Sequence, residues 1–289
     1  MKRIWMSLSL LLLADAARAH PGWGIVEDRT GNVFFTDLKQ VWKVTPGGRM
    51  SVAVPNVHTH ELCFDTAGNL LGEHLWYEGD ATRKWNQRLW RLSPDGQLSD
   101  LVKSRPAFQE GDSFVRDRAG VMYWASHDRP PVIRKAGTAG LVSTHAAGGF
   151  GEIGKMTATP EGVLYLMDQG DLRRVTVDGK VTTLVSKLSS MKTPPRNVRQ
   201  AHYHQGLWTD PEGNVYIAVS EEAVVMRVRP GAPAQVLKST GPVWSPSGGL
   251  IDRDGRLWIL EYRADNAVRV LRVEKNGKET IFDPAAPAR

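Results

Sequence analysis

A short hairpin motif recurs six times along the sequence, and this repeat constrains the fold more than any other feature. Each copy has apolar residues, a turn of the form D-x-x-G or a close variant, and an aromatic-rich segment. The turn glycine permits positive φ, and the Asp before it can accept hydrogen bonds from the turn backbone. The turn glycines are 37, 52, 42, 51 and 42 residues apart. The copies span 24–37, 61–74, 113–126, 155–168, 206–219 and 249–262, with glycines Gly31, Gly68, Gly120, Gly162, Gly213 and Gly255.

A second turn follows most of these hairpins, for example SPDGQ at 93–97 and EKNGK at 274–278. Strand-like segments such as QVWKVT and RLWRLS precede these second turns, and further short strands follow them. Four strands per repeat at this period are typical of a β-propeller. The predicted fold is therefore all-β: a six-bladed β-propeller with four antiparallel strands per blade. Each blade is complete in sequence, so we expect the ring to close by packing blade one on blade six, without a shared blade.

The repeat segments DRTGNVFFTD, DTAGN, DPEGNVYIA and DRDGRLWILEY resemble NHL-type repeats. The chain from residue 20 onward resembles the six-bladed bacterial propellers grouped with NHL and gluconolactonase-like proteins. That group contains lactone hydrolases, a peptide-amidating lyase domain, streptogramin lyases and non-enzymatic binding modules. The shared motifs specify blades, so the resemblance implies a scaffold and leaves the chemistry open.

Composition is that of a folded globular chain, since 41% of the residues are hydrophobic and 24% charged. The single cysteine, Cys63, excludes an internal disulfide and a cysteine-based metal cluster, and a buried apolar role is expected for it. Positive charges are interspersed with negative ones, which argues against a nucleic-acid partner.

The first nineteen residues have the three parts of a secretory signal peptide. Lys2 and Arg3 precede an apolar run at 6–13, and Ala17-Arg18-Ala19 forms a small-x-small cleavage site. The run is too short for a permanent transmembrane anchor. We expect cleavage before His20 and a periplasmic or secreted protein. Residues 20–289 are expected to form a single propeller domain, without a membrane anchor and as a monomer.

The loops that lead into the innermost strands of an up-and-down propeller share one face, opposite the D-x-x-G turns. These lead-in segments are 20–23, 56–60, 110–112, 151–154, 202–205 and 244–248. We call this the lead-in face and the opposite one the turn face. Five of the eight histidines fall in the lead-in segments, namely His20, His58, His60, His202 and His204. This clustering makes the lead-in face the candidate working face.

Alternating H-x-H pairs place two imidazoles on one side of an extended segment. The predicted metal ligands are His58, His60, His202, His204 and Glu152. They suit a divalent ion, with Zn, Ca, Mn, Fe and Cu not distinguished, and no organic cofactor is expected. Lead-in histidines also hold zinc in the amidating lyase propeller that this chain resembles, although the register here differs by one. The alternative is that these histidines cap or pack blade junctions. A further alternative is a copper site at the new N-terminal His20.

Side chains that contact the substrate are predicted on the same face, and Glu110 or Asp112 is predicted to be the catalytic base. Carboxylates at the ends of second strands, Asp37, Asp168 and Glu261, are expected to be structural, whereas Glu73 and His74 are expected exceptions. The predicted substrate-binding residues are Trp23, Glu73, His74, Trp76, Trp208 and Trp244.

Two functions of different class fit these features. The first is an exported, metal-dependent hydrolase or lyase of a small cyclic or carbonyl substrate, similar to a lactonase. The alternative is a non-catalytic propeller that binds a protein, peptide or glycan ligand at the channel mouth. A quinone-dependent dehydrogenase is a weaker third possibility, because no matching His/Arg pattern is present.

Overall fold

The computed structural model describes residues 21–107, 114–137, 140–188 and 204–286, with side chains from Gly206 onward in the last range. Its 24 strands form six sheets, each of four antiparallel strands taken consecutively from the chain. The predicted six-bladed propeller is confirmed, including blades that are complete in sequence. The described residues contain no helix with the length and hydropathy needed to cross a bilayer.

The first three blades show that the hairpin of a blade's second and third strands can lengthen without a change in the order of the strands. In blade two, β6 and β7 have eight residues each, against four in their blade-one counterparts. Blade one contains β1 (Ile25–Glu27), β2 (Val33–Thr36), β3 (Val41–Val44) and β4 (Met50–Val54). Blade two contains β5 (Leu62–Phe64), β6 (Leu70–Tyr77), β7 (Trp85–Leu92) and β8 (Leu98–Pro106). Blade three contains β9 (Phe114–Arg116), β10 (Met122–Ala125), β11 (Ile133–Ala136) and β12 (Val142–Ala146).

The last three blades have longer innermost strands, and the register of each shifts near the lead-in face. Blade four contains β13 (Ile153–Ala158), β14 (Leu164–Asp168), β15 (Asp171–Val175) and β16 (Val181–Val185). Blade five contains β17 (His204–Thr209), β18 (Val215–Val219), a 3₁₀ turn (Ser220–Glu222), β19 (Val224–Val228) and β20 (Gln235–Ser239). Blade six contains β21 (Ser245–Ile251), β22 (Leu257–Tyr262), β23 (Val268–Val273) and β24 (Glu279–Phe282).

The recurring Asp builds each D-x-x-G turn through side-chain hydrogen bonds. In blade one, Asp28 Oδ1 accepts the backbone N–H of Thr30 at 2.8 Å and that of Asn32 at 2.9 Å. Gly31 has φ of +84°, in the left-handed region that favours glycine. In blade six, Asp252 accepts backbone N–H groups of the turn and also the indole N–H of Trp258 at 2.7 Å. The motif therefore fixes the hairpin locally, before any blade packs on another.

Blades are joined by clusters of buried side chains from neighbouring sheets. One such cluster unites blades three and four, with Ile133 and Leu164 fully buried. Another contains Phe35 of blade one and Leu260 of blade six. Apolar burial between adjacent sheets therefore supplies the main stabilisation of the ring, at roughly 25 cal/mol per Å² of apolar surface removed from water.

Blade one packs directly on blade six and closes the ring. The side chain of Ser247 donates a hydrogen bond to the carbonyl of Gly22 at 2.8 Å, and Arg253 pairs with Glu27 at 3.0 Å. A Cβ at Gly248 would lie 2.3 Å from the carbonyl oxygen of Trp23, so this close approach of two backbones requires glycine. The prediction that the termini close by packing is confirmed.

Candidate functional site

The lead-in segment of blade two is held rigidly between two blades. The carbonyl of His58 accepts the N–H of Leu75 at 3.0 Å, and that of His60 accepts the N–H of Trp23 at 3.0 Å. Thr59 between them is fully buried, and its hydroxyl donates to the carbonyl of Glu73. The two histidines are thus carried on a backbone that hydrogen bonds fix from both sides.

A buried carboxylate faces one of these histidines. Glu73, near the end of the buried part of β6, is 6% exposed, and its Oε1 lies 3.3 Å from His60 Nδ1. The indole N–H of Trp90 donates to the Glu73 carbonyl at 2.7 Å and so fixes its backbone. The ring of Trp23 stacks on the His60 imidazole, with centroids 5.3 Å apart. The carboxylate at Nδ1 and the stacked indole together set the orientation of the His60 imidazole ring.

Two more imidazoles adjoin this pair. The ring of His58 lies 4.8 Å from that of His60, measured between centroids. The backbone N–H of His58 donates to His74 Nδ1 at 2.9 Å, so neutral His74 carries its proton on Nε2. Burial and the nearby charge of Arg88 lower the pKa of His74, which favours this neutral form. His74 stacks on Trp76 with centroids 5.4 Å apart.

The carboxylates expected to be structural bond as predicted. Asp168 accepts two backbone N–H groups of the blade-four lead-in segment, at 2.8 and 2.9 Å, and pairs with Arg173. Asp37 accepts backbone N–H groups and the indole of Trp42, and Glu261 accepts from Arg269 at 2.6 Å. Glu73 differs from all three, because its carboxylate faces an imidazole.

The remaining predicted residues are distributed more widely. Glu152 is exposed, and its backbone N–H donates to Asp168. Trp244 lies against Arg269, whose guanidinium is 4.2 Å from the ring centre, and Trp208 is buried against Tyr216. The described structure therefore brings together Trp23, His58, His60, Glu73, His74 and Trp76, which we call the blade-two cluster. Glu110, Asp112 and His202 lie outside the described residues, as does the side chain of His204, which begins β17.

The predicted metal site depends on those undescribed side chains. Among the residues that the structure describes, no group of three or more His, Cys, Asp or Glu side chains is arranged to hold a metal ion. The nitrogen His60 Nδ1 faces Glu73, and His74 Nδ1 accepts a backbone N–H, so each has one engaged nitrogen. The described residues alone do not form a metal centre, and the metal stays a prediction.

A cavity of about 1080 Å³ occupies the central channel and opens on the turn face. Its wall includes Glu61 and Arg116, which are not among the predicted site residues, and the half-buried Cys63. Burial raises the pKa of the Cys63 thiol to about 11, so a nucleophilic thiolate is disfavoured there. At the level of the lead-in segments, Lys155 of blade four reaches across the channel to Trp23 of blade one, with Nζ 3.5 Å from the ring centre.

A sequence signal for this cavity does exist. Arg116 stands immediately before the turn Asp of blade three, where four other units carry Phe64, Ala158, Thr209 and Ile251. Blade one carries the other charged residue at this position, Glu27, so a charge on an inner strand next to the turn Asp marks the channel wall. The prediction centred on histidines overlooked it.

Comparison with protein-family models gives no match, and comparison with curated proteins gives none either. Solved structures of similar fold do exist. Virginiamycin B lyase from Staphylococcus aureus is 13% identical, with a TM-score of 0.55 over 93% of this chain and 86% of that one. A luciferin-regenerating enzyme is 13% identical, with a TM-score of 0.59 over 86% and 85%. An auxiliary nutrient binding protein from Bacteroides thetaiotaomicron is 10% identical, with a TM-score of 0.60 over 90% and 69%. Enzymes and a binding protein thus share this fold.

Proposed function

We propose that the protein is an exported hydrolase or lyase that acts on a small cyclic or carbonyl substrate, such as a lactone, at the blade-two cluster. The observation that carries this proposal is the buried Glu73 carboxylate 3.3 Å from His60 Nδ1. A carboxylate that orients an imidazole and stabilises its protonated form is a recurring arrangement for general acid–base catalysis. None of the carboxylates at Asp37, Asp168 and Glu261 is directed at a histidine in this way.

The proposed hydrolysis of a lactone runs through His60. Its Nε2 takes a proton from water as the water oxygen attacks the carbonyl carbon. The ring C–O bond then breaks, and the same proton passes to the leaving oxygen, which gives a hydroxy acid. His74, neutral and with its proton on Nε2, is the donor available to the carbonyl oxygen. The rings of Trp23 and Trp76, each stacked on a histidine, supply flat apolar surfaces for the substrate.

The proposal includes the predicted metal ion, but no step assigned to His60 or Glu73 depends on it. His58 and His60 would hold a divalent ion together with His202, His204 and Glu152, and Glu110 or Asp112 would serve as an additional base. A metal bound there would polarise the carbonyl group or acidify a bound water. This part depends on side chains outside the described residues, so the steps assigned to His60 and Glu73 do not use it.

Further support for the proposal comes from the proteins of similar fold and from the N-terminal segment. Virginiamycin B lyase shows that a protein of similar fold can be a lyase, and NHL and gluconolactonase-like proteins remain the predicted relatives. The signal-like segment at 1–19 supports a periplasmic or secreted location.

The test is a screen of γ- and δ-lactones and activated esters with the protein purified without chelators or a histidine tag. We expect turnover by the wild type and a loss of at least about 100-fold in kcat/KM for His60→Ala. His127→Ala, at an exposed histidine of blade three, is the matched control and should keep full activity. Absence of turnover on the whole panel, or equal activity of the two variants, would overturn the proposal.

Metal content of the same preparations tests the finer claim. One equivalent of a transition metal in the wild type, lost in the His60→Ala/His204→Ala double variant, would support the predicted ligands. Turnover with no bound metal, unchanged by chelators, would leave the acid–base pair in place and remove the metal.

A binding module on the same face is the second candidate. The β6–β7 hairpin extends past the blade and carries Tyr77 and Trp85 at its tip, 40% and 39% exposed, with ring centroids 5.4 Å apart. Exposed aromatic pairs of this kind are typical of peptide and glycan contacts. Binding of a peptide or glycan library that Tyr77→Ser abolishes, with no turnover on the panel, would favour this function.

A further inference from the structure

The central cavity contains a buried cation with no ion-pair partner among the described residues. Arg116 is 9% exposed and lines the cavity. Its guanidinium lies 4.0 Å from the Cys63 sulfur and 4.9 Å from the centre of the Phe114 ring. By contrast, Glu27, at the corresponding position of blade one, pairs with Arg253 at 3.0 Å. A buried charge without a counter-ion is costly unless another group pairs with it.

Glu61 is close enough to interact with Arg116 and accepts its backbone N–H, but no ion pair joins the two side chains in the described structure. Glu61 borders the same cavity, yet no hydrogen bond is made by its buried Oε2 within the described part of the chain. Burial raises the pKa of Glu61 well above its usual range, against the opposing charge of Arg116. This shift favours the protonated carboxyl, which can donate a hydrogen bond. Both groups are suited to an oxyanion.

The rest of the wall suits an apolar body. Its aromatic side chains are Trp23, Phe34, Phe64 and Trp208. At about 1080 Å³, the cavity is as large as the pockets that hold drug-sized ligands. The turn Asp side chains at its mouth are engaged, as in Asp28 and Asp117, by hydrogen bonds within their own turns. Neither carboxylate forms an ion pair with Arg116 in the part of the chain that the structure describes.

We propose that the central channel is a second binding site, which takes a small aromatic or aliphatic carboxylic acid with its carboxylate on Arg116. The planar guanidinium matches a carboxylate with two parallel hydrogen bonds. The ligand enters from the turn face, whereas the proposed enzyme site lies on the lead-in face. The two sites share Trp23 but differ in their charged groups, because Arg116 is not part of the blade-two cluster.

A matched pair of probes tests whether binding depends on a negative charge of the ligand. We use 2-naphthoate and its uncharged amide, 2-naphthamide, and measure their affinities by isothermal titration calorimetry. We expect the naphthoate to bind at least about tenfold more tightly than the amide, and Arg116→Gln to remove this difference. Arg118→Gln, at the exposed rim of the cavity, is the charge-matched control and should retain most of the preference. His60→Ala, which alters only the packing on Trp23, should keep the preference for naphthoate over naphthamide, and this separates the site from the enzyme proposal.

The single cysteine gives a second readout that needs no variant. Cys63 lines the cavity beside Arg116, so its reaction with methyl methanethiosulfonate at pH 9 reports access to the channel. Naphthoate should slow the reaction several-fold at a concentration where naphthamide does not. Equal affinity of both probes, binding retained in a folded Arg116→Gln variant, or no protection of Cys63 would overturn the proposal.

Discussion

Replacing Trp90 with Phe tests whether the backbone under Glu73 is held by the indole hydrogen bond. Trp90 is fully buried, and its Nε1 donates to the Glu73 carbonyl at 2.7 Å. The ring packs directly on Gly72, where an added Cβ would lie 2.2 Å from a Trp90 ring carbon. The substitution therefore removes a hydrogen bond and part of a ring at the base of the blade-two cluster.

Two contributions make up the expected loss in the free energy of unfolding of Trp90→Phe. Loss of ring surface and the cavity left behind reduce the free energy of unfolding by about 1–2 kcal/mol. Loss of the hydrogen bond adds about 0.5–1.5 kcal/mol. Trp124 provides the matched control, since it is 4% exposed and its indole N–H has no partner in the described structure. Trp124→Phe should therefore show the first contribution alone.

Urea unfolding and thermal melts measure both variants against the wild type. We expect Trp90→Phe to be less stable than Trp124→Phe by about 0.5–1.5 kcal/mol, or several degrees at most in Tm. Activity at the blade-two cluster should fall in Trp90→Phe alone. Equal destabilisation of the two variants, with equal activity, would refute the claim that this bond fixes Glu73.

Three further predictions concern stability. Gly248→Ala should lower the free energy of unfolding by about 1–3 kcal/mol, because its Cβ meets the Trp23 carbonyl at 2.3 Å, whereas Gly137→Ala, with open space around it, should be near neutral in urea titrations. Burial opposes ionisation of Asp252, but hydrogen bonds from Trp258 and Arg256 outweigh it and lower the pKa below 3.8. The free energy of unfolding of the wild type should therefore fall as the pH drops below 3.8. Asp252→Asn should be less stable than the wild type at pH 7 and lose less stability on acidification. Parallel curves of stability against pH for the two proteins would contradict this. Because burial raises the pKa of Glu61, wild-type stability should decrease as the pH rises above 4.5, and Glu61→Gln should remove that decrease in Tm measured from pH 4.5 to 8.

The blade pattern could be predicted from sequence because its determinants are local. Asp28, Gly31 and their counterparts bond within their own turn, so each motif specifies a hairpin without reference to distant residues. The structural role of Asp168 followed from its place at the end of a second strand, where lead-in backbone N–H groups are in reach.

The central cavity could not be predicted in the same way. Its walls combine residues from all six innermost strands, and its volume depends on how those strands approach one another. Period-two alternation shows which residues share a side of a strand, but it does not show which side borders the channel. Trp208 illustrates this: it was expected on the lead-in face, yet it is buried between blades and borders the cavity. The proximity of Glu61 to Arg116 is visible only when blades two and three are placed side by side.

The central claim is that Glu73 and His60 act as one acid–base unit. The most direct measurement is kcat/KM of Glu73→Gln on the best lactone or ester of the panel, with Tm measured on the same sample. The account predicts a fall of about 100-fold or more with the fold intact, because the amide cannot stabilise a protonated imidazole as a carboxylate does. Unchanged kcat/KM in a folded Glu73→Gln variant would contradict it.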